Sequence, residues 1–209
     1  MKITALHTHV LQARLSQSFA FSRGWYDTRT AMLVEVETDK GITGWGECYG
    51  PARMTAAMVD SISPWLIGQD PLLTGSIWQM ISARLRDHGH KGVSIQGLSG
   101  IDIALWDVKG KYFGVPVHQL LGGAQRTEVA TYASGLHRRN SGDPMRYLPE
   151  EAADYAAKGF SALKLKVGFG VEEDATIVRA VRDAVGPDVA LMVDANQPTT
   201  LSLRFVSAD

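Results

Sequence analysis

Ala162-Leu163-Lys164-Leu165-Lys166-Val167 and, one helix-length later, Val189-Ala190-Leu191-Met192-Val193-Asp194-Ala195-Asn196 decide how this chain folds. Each is a short apolar run that ends on charged or polar residues. Between them, Glu172 to Val185 carries apolar residues at helical spacing. Upstream, Pro149 to Lys158 reads as a helix that Gly159 ends, and Val129 to Ala133 reads as a short strand. Strands that alternate with helices of this length form parallel βα units. Three such strands do not distinguish a closed barrel from an open sheet.

The residues before position 125 follow a different rhythm. Lys2 to Ala13 and Arg29 to Thr38 read as strands, the second alternating apolar and polar residues as a half-buried strand does. Asp39-Lys40-Gly41 makes a tight turn into a return strand, Ile42 to Glu47. Met54 to Leu66, Ile77 to Arg86 and Val93 to Tyr112 read as helices, with Pro64 ending or kinking the first. Gly114 and Pro116 stop the third. A boundary near 125 then gives two blocks: 1–125, a small meander with helices, and 126–209, the βα units.

Chemistry concentrates at the two strand ends. On a strand, Lys164 and Lys166 share one face and Leu165 takes the other. Two ammonium groups at most about 7 Å apart by strand rise repel each other, which makes one of them a candidate general base. Asp194 and Asn196 likewise share a face. A carboxylate at the C-terminal end of a parallel strand stands where ligand and metal sites form, and its oxygens suit Mg²⁺. Taken singly, each pattern has a plainer explanation: solvated lysines on an edge strand, and a helix N-cap.

Composition removes several function classes. The 209 residues are 45% hydrophobic and 21% charged, with net charge −1, so no basic stripe suggests nucleic acid. No run approaches the roughly 20 apolar residues of a membrane span, and Met1 to Leu11 does not read as a secretory signal. The single cysteine, Cys48, excludes an internal disulfide framework and fits a cytoplasmic protein. His7 with His9, and His88 with His90, lack a Cys or acidic cluster that would make them a zinc site. Gly168-Phe169-Gly170 follows a strand and precedes a helix but lacks the rest of a phosphate-binding motif.

Together, the paired lysines on one strand and Asp194-Ala195-Asn196 on the next resemble the enolase superfamily, in its mandelate racemase/muconate lactonizing enzyme family. Gly41-Ile42-Thr43-Gly44-Trp45-Gly46-Glu47, Gly100-Ile101-Asp102-Ile103-Ala104-Leu105-Trp106-Asp107, Gly114-Val115-Pro116 and Leu120-Leu121-Gly122-Gly123 look like that family's recurring capping-domain segments. The resemblance implies an α+β capping domain followed by the first part of a (β/α) TIM-like barrel. It implies a Mg²⁺-dependent abstraction of the α-proton of a carboxylate, chemistry for which superfamily sites pair a Lys or His base with Mg²⁺. By the same resemblance Lys166 is the base and Lys164 faces the substrate carboxylate. Asp194 is a metal ligand, and Asn196 lines the pocket. Two loops, near Ser16 to Trp25 and near Cys48 to Arg53, close over the substrate with Trp25, Tyr26 and Tyr49. The implied partner is a small-molecule carboxylate, a sugar acid or hydroxy acid, and the intact enzyme is a homo-oligomer.

The implied second and third metal ligands and further acid–base groups belong to later strands. After Asn196 only thirteen residues remain, in which Pro198 to Phe205 could begin a helix. A full barrel takes about 250 residues. The sequence is therefore expected to be an incomplete copy, from a frameshift, an early stop or cropping, with about three of eight strands and little or no activity by itself. Three functions remain open: an acid-sugar dehydratase or hydroxy-acid racemase, a cycloisomerase or dipeptide epimerase, and a non-catalytic remnant that pairs its exposed sheet with another chain.

Overall fold

The structure is a computed structural model that describes residues 1–21 and 24–196, with only the backbone of His88. The expected helix at Pro198 to Phe205 lies outside the described residues. The chain forms two compact units, Met1–Ala13 with Arg29–Thr127, and Arg14–Thr28 with Glu128–Asp209.

The first unit is built on a meander. Strand β1 (Ile3–Phe21) is followed by β2 (Gly24–Thr38) and β3 (Thr43–Cys48), in the sheet order β3-β2-β1. Alternation is strict on β2: Met32, Val34 and Val36 are fully buried, while Leu33, Glu35 and Glu37 take the other face. Gly41, at φ 70°, supplies the left-handed residue of the β2–β3 turn. Helices α1 (Ala52–Ile62), α2 (Thr74–Arg84) and α3 (Val93–Phe113) cover the apolar face. Pro64 sits in the 3₁₀ turn Ser63–Trp65 that ends α1. Gly114, left-handed at φ 69°, caps α3, and the short α4 (Val117–Leu120) follows.

Helix α3 lies directly on β3 because both surfaces are notched with glycine. A Cβ on Gly44 or Gly46 would enter the backbone of α3 at Ala104 and Gly100, and one on Gly100 would strike the Cys48 sulfur. Val59, Ile62, Ile101, Ala104 and Val108 fill the layer beneath at 0% exposure. Each large apolar side chain so buried contributes about 1.5–3 kcal/mol. The Cys48 thiol in this layer is pushed up to about 11 by burial, which keeps it unreactive.

The second unit holds β4 (Ala133–Ser134), β5 (Arg138–Arg139), α5 (Pro144–Ala157), β6 (Ala162–Lys166), α6 (Val171–Val185) and β7 (Ala190–Asp194). Strands β4, β6 and β7 form a parallel sheet in the order β4-β6-β7. Leu163 and Leu165 are fully buried against Leu148, Ala152, Ile177 and Val181 of α5 and α6. The helices therefore cover the leucine face of β6, and the lysine face looks the other way, as toward the inside of a barrel.

Three expectations need correction. The strand expected from Val129 begins only at Ala133; Val129 is 70% exposed and gains nothing from pairing. Helix α5 starts at Pro144, not Pro149. Asp143 caps it by accepting from the Met145 N–H at 2.9 Å, and Pro144 sits at its first position, where no N–H is needed. Pro149 lies inside the helix. Finally, the segment Ser16 to Trp25, expected as a loop, is β-strand through Phe21 and again from Gly24. Aromatic stacking sustains the strands: the Tyr26 ring lies 5.7 Å from Phe19 and 4.8 Å from Phe21.

Candidate functional site

The sequence alternation at Lys164-Leu165-Lys166 puts both ammonium groups on the sheet face that α5 and α6 leave uncovered. The β6–β7 register sets Lys166 opposite Asp194 and Lys164 opposite Met192. Lys166 Nζ donates to Asp194 Oδ2 at 2.7 Å and to Asn196 Oδ1 at 2.9 Å. Lys164 Nζ lies 3.6 Å from the same Asp194 oxygen. Asn196 takes a left-handed conformation at φ 53°, and its N–H donates to Asp194 Oδ1 at 2.9 Å, a local turn that asparagine tolerates. The four residues singled out at the strand ends are thus in one contact network.

The Lys166 hydrogen bond, the Asn196 N–H and the charges of both lysines hold the Asp194 carboxyl below its ordinary 3.8. A lowered carboxylate stabilises the fold fully above 3.8 and loses that contribution as pH falls through the lowered value. In metal-free buffer, a carboxyl-carbon NMR titration of Asp194 is expected to have its midpoint below 3.8. A midpoint at or above that value contradicts the ion pair.

Two neighbours carried no sequence signal. Tyr132, just before β4, accepts from Lys164 Nζ at 3.4 Å. Phe21, at the end of β1, has its ring 5.5 Å from Lys166 Nζ, a cation–π distance. Tyr26, proposed from the sequence, stacks on Phe21, with ring centroids 4.8 Å apart. Trp25 is 52% exposed beside it. Tyr49 is 85% exposed in the first unit, and Arg53 of its loop already belongs to α1.

The turn after β6 is held by backbone donors. The N–H groups of Gly168, Phe169 and Gly170 converge on Asp174 Oδ2 at 2.8, 3.2 and 3.3 Å. This nest is anion-binding in type, and the chain's own carboxylate in the first turn of α6 fills it. Asp174→Ala, which removes the acceptor, is expected to cost about 1–3 kcal/mol, the range for unpairing part-buried donors, and to release the three amides to exchange. Unchanged exchange there would refute the nest's role.

The histidines of β1 are used locally. His9 Nε2 lies 2.8 Å from Glu35 Oε2, and His7 Nε2 lies 3.6 Å from Glu37 Oε1. Among the described residues no three His, Cys, Asp or Glu side chains could hold a metal ion together. Asp194 is the right kind of ligand for Mg²⁺, but one carboxylate that already neutralises two lysines does not make the site of a hard, six-coordinate cation. The described residues do not fit the ion by themselves. No helix among them is long and apolar enough to cross a membrane.

A meander-and-helix unit, and parallel βα units with lysines and an Asp-x-Asn at adjacent strand ends, are the plan of the enolase superfamily. Comparison with known proteins narrows the class. Residues 3–122 match the mandelate racemase / muconate lactonizing enzyme N-terminal domain, and residues 147–206 match the enolase C-terminal domain-like model. The chain belongs to the mandelate racemase / muconate lactonizing enzyme family, with a capping domain followed by part of the barrel. It is 50% identical over 209 residues to D-galactarolactone cycloisomerase of Agrobacterium fabrum, covering 100% of this chain and 55% of that one. It is 38% identical over 174 residues to arabinonate dehydratase of Saccharolobus solfataricus, covering 81% and 46%. The crystal structure of 3,6-anhydro-D-galactonate cycloisomerase from Zobellia galactanivorans superposes with TM-score 0.82 at 37% identity, covering 92% and 50%. The chain spans about half the length of the curated relatives it matches. Those relatives are enzymes: racemases, cycloisomerases and acid-sugar dehydratases. Mg²⁺-dependent proton abstraction is general chemistry of the family.

Proposed function

We propose that this chain supplies the lysine side of a site that removes the proton α to a carboxylate in an acid-sugar or hydroxy-acid substrate. The observation that carries the proposal is the pair of lysines on one face of β6, with Asp194 2.7 Å from Lys166 and 3.6 Å from Lys164. Asp194 and Asn196 fix the Lys166 amine, so that in its neutral form it accepts the α-proton in a set direction. The Lys164 ammonium faces the substrate carboxylate and offsets the negative charge that grows on its oxygens as the proton leaves. Asn196 and the aromatic residues Trp25 and Tyr26 shape the pocket. Asp194 is one carboxylate of the family's Mg²⁺ site, which the described residues do not complete.

Among the family's reactions, the 50% identity to a galactarolactone cycloisomerase favours cycloisomerisation of an acid-sugar lactone over dehydration or racemisation. The setting is cytoplasmic, and the whole enzyme is a homo-oligomer. The 209-residue chain alone is expected to exchange no α-proton measurably.

The test is a hybrid in which this chain replaces the matching half of the Agrobacterium cycloisomerase. With Mg²⁺ in D₂O, NMR should show deuterium entering the α-position of D-galactarolactone. A folded hybrid that binds substrate and exchanges nothing would remove the catalytic reading and favour a non-catalytic interaction role.

A further inference from the structure

The shortest strand of the fold does more than its length suggests. Strand β5 has two residues, and its register partners are Phe19 for Arg139 and Ala20 for Arg138. The Asn140 N–H extends the ladder to the Ser18 carbonyl at 3.4 Å. So short a ladder is not stable by backbone bonds alone. Its side chains pin it on both sides. Arg139 Nη2 donates to Glu151 Oε2 of α5 at 2.6 Å, and its N–H donates to the Tyr147 hydroxyl at 2.9 Å. Arg138 Nη1 donates to Glu173 Oε1 in the first turn of α6 at 2.7 Å, and its guanidinium lies 4.5 Å from the Phe169 ring. The Arg138 side chain is only 12% exposed.

These contacts close a ring. Lys166 leads through the 168–170 turn to Glu173, Glu173 holds Arg138, Arg138 faces Ala20, and Phe21 returns to the Lys166 ammonium at 5.5 Å. Ala20 is fully buried, so a shift at β5 passes directly to Phe21. We infer that Arg138 is a positioning residue: it fixes strand β5, and through it the Phe21 ring against Lys166. The inference rests on the proposed role of Lys166 as base for its functional meaning, but not for its geometry.

NMR of the 209-residue chain tests it. A ring current from Phe21 displaces the Lys166 ε-methylene signal, and Phe21→Leu gives the undisplaced position. Arg138→Leu is expected to move the signal toward that position and to speed exchange of the Asn140 amide by about tenfold or more. Arg138→Lys should recover part of both effects, because an ammonium still reaches Glu173. Amides of Val34 and Leu163 should stay protected throughout. If Arg138→Leu loses that protection, Glu173→Gln is read in its place and should move the same two signals. A Lys166 signal and Asn140 exchange unchanged from wild type in the folded variant overturn the inference. None of these readings uses turnover, so an inactive hybrid with the signals moving as stated would defeat the functional proposal and leave the positioning role intact.

Discussion

Lys166→Met in the hybrid enzyme is expected to lower α-proton exchange by about 10²–10⁴-fold, the range for loss of a positioned general base. Methionine is an unbranched side chain one atom shorter than lysine, and Lys166 stands on the face of β6 away from the α5–α6 core, so the fold should persist. Substrate affinity should change less than turnover, because the proposed partner of Lys166 is the α-proton and not the substrate carboxylate. Lys164→Met should behave differently. Its ammonium faces a carboxylate that is charged before and during the reaction, so KM should rise as well as kcat fall. Steady-state kinetics and exchange measured on the same preparations separate the two. If Lys166→Met retains exchange within a few fold of wild type, another group is the base, and the hydrogen bonds from Lys166 to Asp194 and Asn196 are structural.

The strand ends were legible because their signal is local. Period-two alternation in Ala162 to Lys166 sets which side chains share a face, and a parallel neighbour in register then puts Asp194 beside Lys166 without further information. The helix α3 was legible for the same reason, through its apolar spacing and the left-handed Gly114 at its end. What the sequence hid depends on residues far apart. Strand β5 has two arginines, a pattern with no strand signature, and it exists only because Phe19 and Ala20 come to lie beside it. Phe21 and Tyr132 flank the lysines for the same tertiary reason. The start of α5 was masked by Pro149, which reads as a helix start and is tolerated inside the helix.

Gly46→Ala is expected to destabilise the first unit by about 3 kcal/mol or more, the upper range for overpacking a core. The added methyl would meet the Gly100 carbonyl and stand 2.7 Å from the Ala104 N. Both are backbone atoms of α3, so no rotamer change relieves the contact, and the helix must move off β3. That motion opens the layer formed by Val34, Val59, Ile101 and Ala104, all at 0% exposure. A domain with about 5–15 kcal/mol of stability loses a large part of it. Gly75→Ala supplies the opposite sign in the same protein. Gly75 lies in the first turn of α2 with nothing within 4 Å of an added Cβ. There alanine gains up to about 1 kcal/mol in helix propensity. Urea denaturation followed by tryptophan fluorescence compares the two. A Gly46→Ala midpoint equal to wild type would mean that α3 and β3 do not approach as closely as their glycines allow. The same physics explains the Gly-x-Gly on β3 against the Gly at position 100: the backbones of a strand and a helix approach this closely only where a glycine leaves room for them.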